Sequence, residues 1–183
     1  KILESLNFPL AIPSANQSTH VSPVSAKDVA NEFGSSLKFI LDGGSCVIGI
    51  ESTVVDLTST AKILRPGSIN PSSISKVLNK KIFIHKGFKS IKAPGMSKKH
   101  YSPRIPIKLN QDKAKSNEAF IVFGKKYKKA KNTFNLSNKS NLNEAARNLY
   151  KILRLIKKKN YKMICVSSIP KTGIGLAIND RLS

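Results

Sequence analysis

The segment from Gly43 to Gly67 constrains the fold of this chain more strongly than any other stretch of the sequence. Within it, two β-branched runs, Val54–Leu57 and Ile63–Leu64, are separated by a short polar connection of hairpin length. Pro66 and Gly67 then turn the chain, because proline presets φ for the first turn position and glycine tolerates a positive φ at the second. The segment therefore predicts a β-hairpin that ends in a sharp turn.

Polar side chains stand close together at the open end of the predicted hairpin. Glu51, Ser52 and Thr53 precede its first strand, and Arg65 stands at the exit of its second strand. A carboxylate, hydroxyl groups and the rigid fork of an arginine suit a ligand that carries amino, carboxylate or phosphate groups. From this segment alone, a ligand site and a hairpin whose polar ends bind nothing both remain open.

Length and composition leave room for one large or two small domains. A chain of 183 residues with 40% hydrophobic content can bury a packed core, and no apolar run approaches the roughly 20 residues that span a bilayer. No signal-peptide pattern opens the sequence. Cys46 and Cys165 each lie within an apolar run, which predicts buried thiols rather than a disulfide or a metal site. We therefore expect a reducing, cytoplasmic setting and no membrane partner.

The formal net charge of +22 raises the question of nucleic-acid binding. Of the 32 basic residues 27 are Lys and five are Arg, and the lysines are spread along the chain among Asn and Ser. This distribution fits a lysine-rich proteome as well as it fits a field that attracts a polyanion. Both interpretations stay open, and the five arginines are the more informative cations.

The first half of the chain alternates between predicted strands and predicted helices. Ser22–Pro23 is expected to cap a helix that ends at Gly34, because Ser favours the N-cap and Pro the first helical position. Ser14 and Asn16 lie where a strand gives way to a loop, the usual place of a site in an α/β fold. The predicted strands are residues 9–12, Phe39–Asp42, Cys46–Ile48 and Lys81–Ile84; the first helix is expected to bury Ala26, Val29, Ala30 and Phe33, and a second, after Asn70–Pro71, to bury Ile74, Val77 and Leu78.

Residues 86–106 show no periodicity and contain Pro94–Gly95 and Pro103, which predicts a linker between two units. Its middle, residues 98–101, places cations beside an aromatic ring, a combination that suits a lid over a bound nucleotide. A passive tether and a lid both remain open.

A second α/β unit is predicted from Ile107 onward. Strands at Phe120–Phe123 and Met163–Ser167 flank a helix from about Asn143 to Lys158, and short links between them imply a small parallel sheet. Asn141 and Glu144 are spaced as a capping box for that helix. The helix is expected to bury Ala145, Leu149, Ile152, Leu153 and Ile156, and another helix is expected to start near Leu176.

Several segments together resemble the long, two-domain form of the L-threonylcarbamoyladenylate synthases, in the order in which that family has them. These segments are Pro13–Asn16, Ser22–Pro23, Leu41–Gly44, Glu51–Asp56, Ile63–Gly67, Ala93–Met96 with His100–Pro103, and Gly175–Arg181. The resemblance implies an α/β fold in three parts. Residues 1–85 would form the C-terminal part of a YrdC-like twisted mixed sheet with helices, residues 86–106 a linker or lid, and residues 107–183 a small Rossmann-like domain.

The resemblance also implies an activity. L-threonine, bicarbonate and ATP, with Mg²⁺, would give threonylcarbamoyl-AMP and pyrophosphate, and the product would pass to a tRNA threonylcarbamoyl-transferase. The nucleophile in this reaction is the carbamate oxygen of the substrate, so catalysis rests on positioning and charge neutralisation rather than on a nucleophilic side chain.

By position, the resemblance assigns Ser14, Ser22, Arg65, Tyr101 and His100 to ATP binding. It assigns Ser52 and the backbone at Ile12 to threonine binding. It predicts no catalytic side chain and no metal ligand.

The chain opens without Met and within a predicted helix, which indicates an N-terminally truncated fragment whose upstream binding residues lie outside this sequence. Two other functions stay open beside the enzyme: a YrdC-fold module that binds RNA without catalysis, and a catalytically silent remnant. Weak RNA binding by the enzyme itself also stays open.

Overall fold

The computed structural model describes residues 2–85 and 103–183, so most of the predicted linker, including His100 and Tyr101, lies outside the described residues. The helices are α1 (Ala26–Phe33), α2 (Pro71–Leu78), α3 (Leu142–Lys157) and α4 (Gly175–Leu182). The strands are β1 (Val54–Asp56), β2 (Lys62–Arg65), β3 (Phe83–Ile84), β4 (Ile107–Lys108), β5 (Ala119–Val122), β6 (Thr133–Asn135) and β7 (Ile164–Val166). Short 3₁₀ helices cover Leu3–Ser5 and Gly34–Ser36.

The predicted hairpin is confirmed and forms part of a mixed sheet. β1 and β2 pair antiparallel, with Asp56 opposite Lys62, and β3 pairs parallel to β2. The Asp56 carboxylate accepts hydrogen bonds from the Thr58 hydroxyl at 2.6 Å and from its backbone N–H at 2.9 Å, as aspartate does in turns. These bonds hold the pKa of the Asp56 carboxyl at about 2.

The second sheet has four parallel strands in the order β4-β7-β5-β6, which confirms the predicted small parallel sheet. Every residue of β5 and β7 is buried, as expected for central strands of a sheet covered on both faces. Sequence reasoning missed β6, which lies in the Lys/Asn-rich stretch between β5 and α3. Only Phe134 of that strand is buried, and its polar neighbours hide the strand pattern.

α3 confirms the helix predicted from about Asn143 to Lys158. Its N-cap is Asn141, whose side-chain oxygen accepts from the Glu144 backbone N–H at 2.9 Å. The Glu144 carboxylate accepts from the Ser137 hydroxyl, and that hydroxyl accepts from the Asn141 N–H, so a serine completes the cap. The buried residues of α3 are Ala145, Ala146, Leu149, Tyr150, Leu153 and Ile156, and Ile152 is partly buried.

One hydrophobic cluster joins the first part of the chain to the second. Val21, Val24 and Ile50 belong to the same buried cluster as the apolar side chains of α3 and of the second sheet. Gly49 lies so close to α3 that a Cβ there would be 2.5 Å from the Arg147 Cα, and its φ of 77° also favours glycine. α3 therefore contacts both parts of the chain.

Three predicted strands are wrong: residues 9–12, Phe39–Asp42 and Cys46–Ile48 are irregular. Their apolar side chains lie largely in solvent, with Phe39 91% exposed and Val47 75% exposed. β-propensity expresses packing on a sheet, and these segments have no paired strand among residues 2–85 and 103–183. For the same reason Cys46, predicted to be buried, is exposed, whereas Cys165 is buried as predicted.

Two helix predictions also need correction. The N-cap of α1 is Ser25, which accepts from the Asp28 N–H, and not Ser22, because Val24 and Ser25 continue in extended or irregular backbone before the helix begins. α2 begins at Pro71 with Asn70 as its N-cap, as predicted. The buried stripes expected on these two helices are wrong, because neither α1 nor α2 has a buried residue. Ala30 and Val77 are exposed, and the other residues of the two stripes are only half-buried.

No helix in the described part of the chain is both long and apolar enough to cross a membrane.

Candidate functional site

A cavity of about 450 Å³ lies between the first part of the chain and α3. It brings together Ser14 and Ser22, two of the residues that the sequence assigns to ATP. Its other lining residues are Pro23, Val24, Cys46, Val47, Ile48, Gly49, Ile50, Glu51 and Tyr150. A concave apolar space with a few polar groups is the usual form of a small-molecule site.

The corner formed by Glu51, Ser52 and Thr53 follows directly on the wall of this cavity. Arg65, at the end of β2, donates from Nη2 to the Ser52 carbonyl oxygen at 2.9 Å and to the Ser52 hydroxyl at 3.4 Å. The Thr53 hydroxyl donates to the Ile69 carbonyl oxygen at 2.5 Å. Of the three polar side chains of the corner, Ser52 is the exposed one, so its hydroxyl is open to a ligand.

The Pro66–Gly67 turn packs directly against the backbone of this corner. A Cβ at Gly67 would lie 2.3 Å from both the Ser52 carbonyl carbon and the Thr53 nitrogen. The next residue, Ser68, donates its backbone N–H to the Glu51 carbonyl oxygen at 3.1 Å. Pro66 and Gly67 therefore form the back wall of the corner, and the close approach requires glycine at position 67. The positive φ expected at Gly67 is wrong, since the φ of this glycine does not lie in the left-handed region.

Glu51 accepts hydrogen bonds from three side chains. Ser22 donates its hydroxyl to Oε1 at 2.7 Å, while the Tyr150 hydroxyl at 2.7 Å and Arg181 Nε at 2.9 Å donate to Oε2. Burial alone would raise the pKa of the Glu51 carboxyl, but the Arg181 charge and the three hydrogen bonds outweigh burial. The pKa is therefore below its ordinary value, and Glu51 is a carboxylate.

Sequence reasoning missed Tyr150 and Arg181 as members of this site. Both come from the second half of the chain, Tyr150 from α3 and Arg181 from α4. A signal was present for each: Tyr150 is a polar-tipped residue beside the buried stripe of α3, and Arg181 ends the Gly175–Arg181 segment. Neither signal indicates which partner the side chain meets.

Not all the residues that the sequence assigned to ligands belong to the cavity wall. Ile12 is 72% exposed and is not part of the cavity wall. Ser22 is buried against Glu51, and the Ser14 hydroxyl donates to the Asn16 side-chain oxygen at 2.5 Å. Arg65 is buried against Ser52. His100 and Tyr101 lie outside the described residues.

Within residues 2–85 and 103–183, no group of three His, Cys, Asp or Glu side chains is placed to hold a metal ion.

Two family models together match almost the whole chain. The model described as "Threonylcarbamoyl-AMP synthase, C-terminal domain" matches residues 69–183, and a model described as "Telomere recombination" matches residues 1–67.

Similar proteins carry the name threonylcarbamoyl-AMP synthase. The protein of Pyrococcus abyssi is 36% identical over 203 residues, covering 100% of this chain and 59% of that protein. The protein of Bacillus subtilis is 29% identical over 206 residues, covering 99% of this chain and 58% of its own length. The chain thus spans somewhat more than half the length of these two relatives.

Two solved structures of P. abyssi Sua5 share the fold. One, a crystal structure of the complex with L-threonine, has a TM-score of 0.79 and 34% identity, covering 93% of this chain and 55% of that one. The other is a variant in which a histidine and the tyrosine after it are replaced by alanine; its TM-score is 0.79 at 33% identity, covering 93% of this chain and 54% of its own.

Proposed function

The chain belongs to the threonylcarbamoyl-AMP synthase family, and from that premise we propose that it takes part in making threonylcarbamoyl-AMP from L-threonine, bicarbonate and ATP. The observation that carries the proposal is the corner of Glu51, Ser52 and Thr53, with Arg65 against it and a cavity of about 450 Å³ beside it. A relative of the same fold was crystallised with L-threonine, which supports L-threonine as a ligand of this chain.

The proposed reaction takes place in two steps. The threonine amine and bicarbonate form a carbamate with loss of water; a carbamate oxygen then attacks the α-phosphorus of ATP, and the bond to the β-phosphate breaks to release pyrophosphate. Both nucleophile and leaving group come from the substrates, so the protein supplies alignment and positive charge. No side chain has to form a covalent bond.

We assign threonine to the corner because Ser52 is exposed and its hydroxyl can bond the amino acid, while Arg65 and Ser68 hold the corner's carbonyl groups in place. The contact at Ile12 through its backbone remains part of the proposal. It is supported by the exposure of that residue rather than by any contact with the cavity.

ATP is assigned to the cavity side, with contacts from Ser14, Ser22 and Arg65. Mg²⁺ would bind together with ATP, coordinated by the phosphate oxygens, because Mg²⁺ prefers oxygen ligands. His100 and Tyr101 are proposed to cover the nucleotide. That role is supported by the composition of the linker and by the adjacent His and Tyr of the P. abyssi protein, which were both replaced by alanine in one of its structures.

The product is a reactive mixed anhydride, so it must pass to an enzyme that transfers the threonylcarbamoyl group to tRNA. A cytoplasmic location belongs to the same proposal, because ATP and tRNA meet there.

Replacing Ser52 by alanine tests the threonine assignment. In the full chain, pyrophosphate release that depends on both threonine and bicarbonate is expected for the wild type, and Ser52→Ala is expected to raise the threonine KM much more than the ATP KM. The physical reason is the loss of one hydrogen bond to a charged ligand, worth about 1.5–3 kcal/mol.

Ser35→Ala, which removes an exposed hydroxyl outside the cavity wall, serves as the control and should leave both constants unchanged. If Ser52→Ala lowers ATP affinity and leaves the threonine constant in place, the two ligand assignments are reversed. If the wild type releases no pyrophosphate in response to threonine, the proposed function is wrong.

A further inference from the structure

The side chain of Arg181 reaches from α4 to the candidate site in the first part of the chain. Nε donates to Glu51 Oε2 at 2.9 Å, and Nη2 donates to the Pro66 carbonyl oxygen at 3.1 Å. Nη1 pairs with the neighbouring Asp180 carboxylate at 2.5 Å. The side chain is 1% exposed, so these contacts are shielded from water.

One acceptor of Arg181 belongs to the threonine corner, and the other belongs to the back wall of that corner. Glu51 is the first residue of the corner, and Pro66 precedes the glycine whose backbone packs on Ser52 and Thr53. A guanidinium is planar and rigid, so donors at fixed angles set the separation of the groups that they bind. Arg181 therefore fixes the distance between the corner and its back wall.

Tyr150 adds a second support from α3. Its hydroxyl donates to the same Glu51 oxygen at 2.7 Å, and the residue is 1% exposed. The Glu51 side chain is 14% exposed, so its charge is compensated by these partners and by Ser22 rather than by bulk water. A carboxylate so enclosed has one favourable position, because a shift would leave a buried charge or donor unpaired.

We propose that Arg181 and Tyr150 are positioning residues for threonine use: from the second half of the chain they hold Glu51 and Pro66, and so hold Ser52 in the geometry that binds the amino acid. The proposal rests on the proposed function for the identity of the ligand. It gives the C-terminal unit a defined role in the site.

Arg154 provides a matched control, because it ties the same two parts of the chain together away from the corner. It donates to the Val21 carbonyl oxygen at 2.6 Å and to the Glu32 carboxylate at 2.8 Å. Loss of Arg154 should weaken the attachment of the two parts and leave the Glu51 contacts in place. The Arg154 variant therefore distinguishes a general weakening of the interface from a specific effect on the corner.

The experiment compares Arg181→Met, Arg181→Lys, Tyr150→Phe and Arg154→Met in the full chain. Arg181→Met is expected to raise the threonine KM by roughly tenfold or more, the effect of losing a hydrogen bond to a charged group, with the ATP KM changed less than about twofold. Tyr150→Phe should also raise the threonine KM, by a smaller factor. Arg181→Lys, which keeps one charged donor, should recover part of the loss.

Arg154→Met should lower the thermal midpoint and leave the threonine KM within about twofold of the wild type. Equal rises in the threonine KM for Arg154→Met and Tyr150→Phe would overturn the proposal, as would an unchanged constant in a folded Arg181 or Tyr150 variant. Tyr150→Phe keeps the ring in its buried position, so it decides the question if Arg181→Met fails to fold.

A second measurement, without substrate, separates this proposal from the proposed function. Amide hydrogen exchange at Ser52 and Thr53 is expected to speed up in Tyr150→Phe and Arg181→Lys and to stay unchanged in Arg154→Met. If the wild type shows no threonine-dependent pyrophosphate release, the proposed function fails, and the exchange rates still decide whether Arg181 and Tyr150 hold the corner. Unchanged exchange at both amides would overturn the positioning role.

Discussion

At the scale of single residues, the sequence indicated which side chains could bind a ligand. It did not indicate which of these side chains already form hydrogen bonds within the protein. Arg65 shows the difference. Its place at the end of β2 was predicted, and so was its nearness to Ser52, but its Nε and Nη2 point at the Ser52 carbonyl oxygen. Contact with ATP therefore stays a prediction, and it has to coexist with this structural role.

Replacing Arg65 by alanine tests that prediction. ATP affinity is expected to fall by about 1.5–3 kcal/mol, because the variant lacks the charged donor of a hydrogen bond to phosphate. Calorimetric titration of the full chain with MgATP measures the change. Arg154→Ala removes the same charge from α3, where the arginine contacts Val21 and Glu32 and not the corner, and it should leave the affinity unchanged. A folded Arg65→Ala protein with wild-type ATP affinity would contradict the contact.

At the scale of secondary structure, elements with strong local signals were predictable. The β1–β2 hairpin, α2 with its Asn-Pro start, and α3 with its apolar stripe and Asn cap all occur where the pattern placed them. Phe39–Asp42 and Cys46–Ile48 were not predictable in the same way, since a strand needs a partner and these apolar runs lie exposed.

The candidate site was predictable only in its local half. Glu51, Ser52 and Arg65 belong to one sequence segment, and their proximity follows from the hairpin. Two of the three donors to Glu51 lie 99 and 130 positions further along the chain, at Tyr150 and Arg181. No local pattern specifies such a pairing, because it depends on how α3 and α4 pack against the first part of the chain.

The close fit of the Pro66–Gly67 turn against the corner predicts a large cost for a single methyl group. In Gly67→Ala the new Cβ would meet backbone atoms of Ser52 and Thr53 at 2.3 Å, and backbone cannot rotate away as a side chain does. Overpacking of this kind costs about 1–3 kcal/mol or more. Chemical denaturation measures the change in the free energy of unfolding.

Gly43→Ala is the matched control, since nothing lies within 4 Å of a Cβ there and its φ is not positive. It should change the free energy of unfolding by less than about 1 kcal/mol, in the stabilising direction, because alanine restricts the unfolded chain more than glycine does. Equal effects of the two substitutions would show that the corner is not tightly packed.

At the scale of the whole molecule, three of the five arginines join the two parts of the chain. Arg147, Arg154 and Arg181 each donate to groups in residues 21–66, and Arg147 and Arg154 lie with Tyr150 on one face of α3 because residues three, four and seven positions apart share a helix face. The arginines were expected to be the informative cations. Three of them stabilise this interface, and the lysines supply most of the positive charge, with 27 of the 32 basic residues.

The last prediction concerns the lysines and distinguishes an RNA-binding module from an enzyme that binds RNA only weakly. A field of scattered lysines attracts any polyanion by counterion release, so RNA affinity should fall at least about tenfold between 50 and 200 mM salt. Because a lysine that pairs with phosphate carries no sequence information, a tRNA and an unrelated RNA of equal length should bind alike. Fluorescence anisotropy with both RNAs measures the salt dependence and the selectivity.

Lys128 and Lys129 allow a matched test of this view, since both are exposed in the loop between β5 and β6. Changing both to Gln should reduce the slope of log affinity against log salt by no more than about two, one for each phosphate that a lysine no longer neutralises, while changing both to Arg should preserve it. A folded chain that bound tRNA selectively, with an affinity independent of salt, would have a surface that recognises tRNA through specific contacts. That outcome would favour the RNA-binding module over the enzyme, because scattered charge cannot produce it.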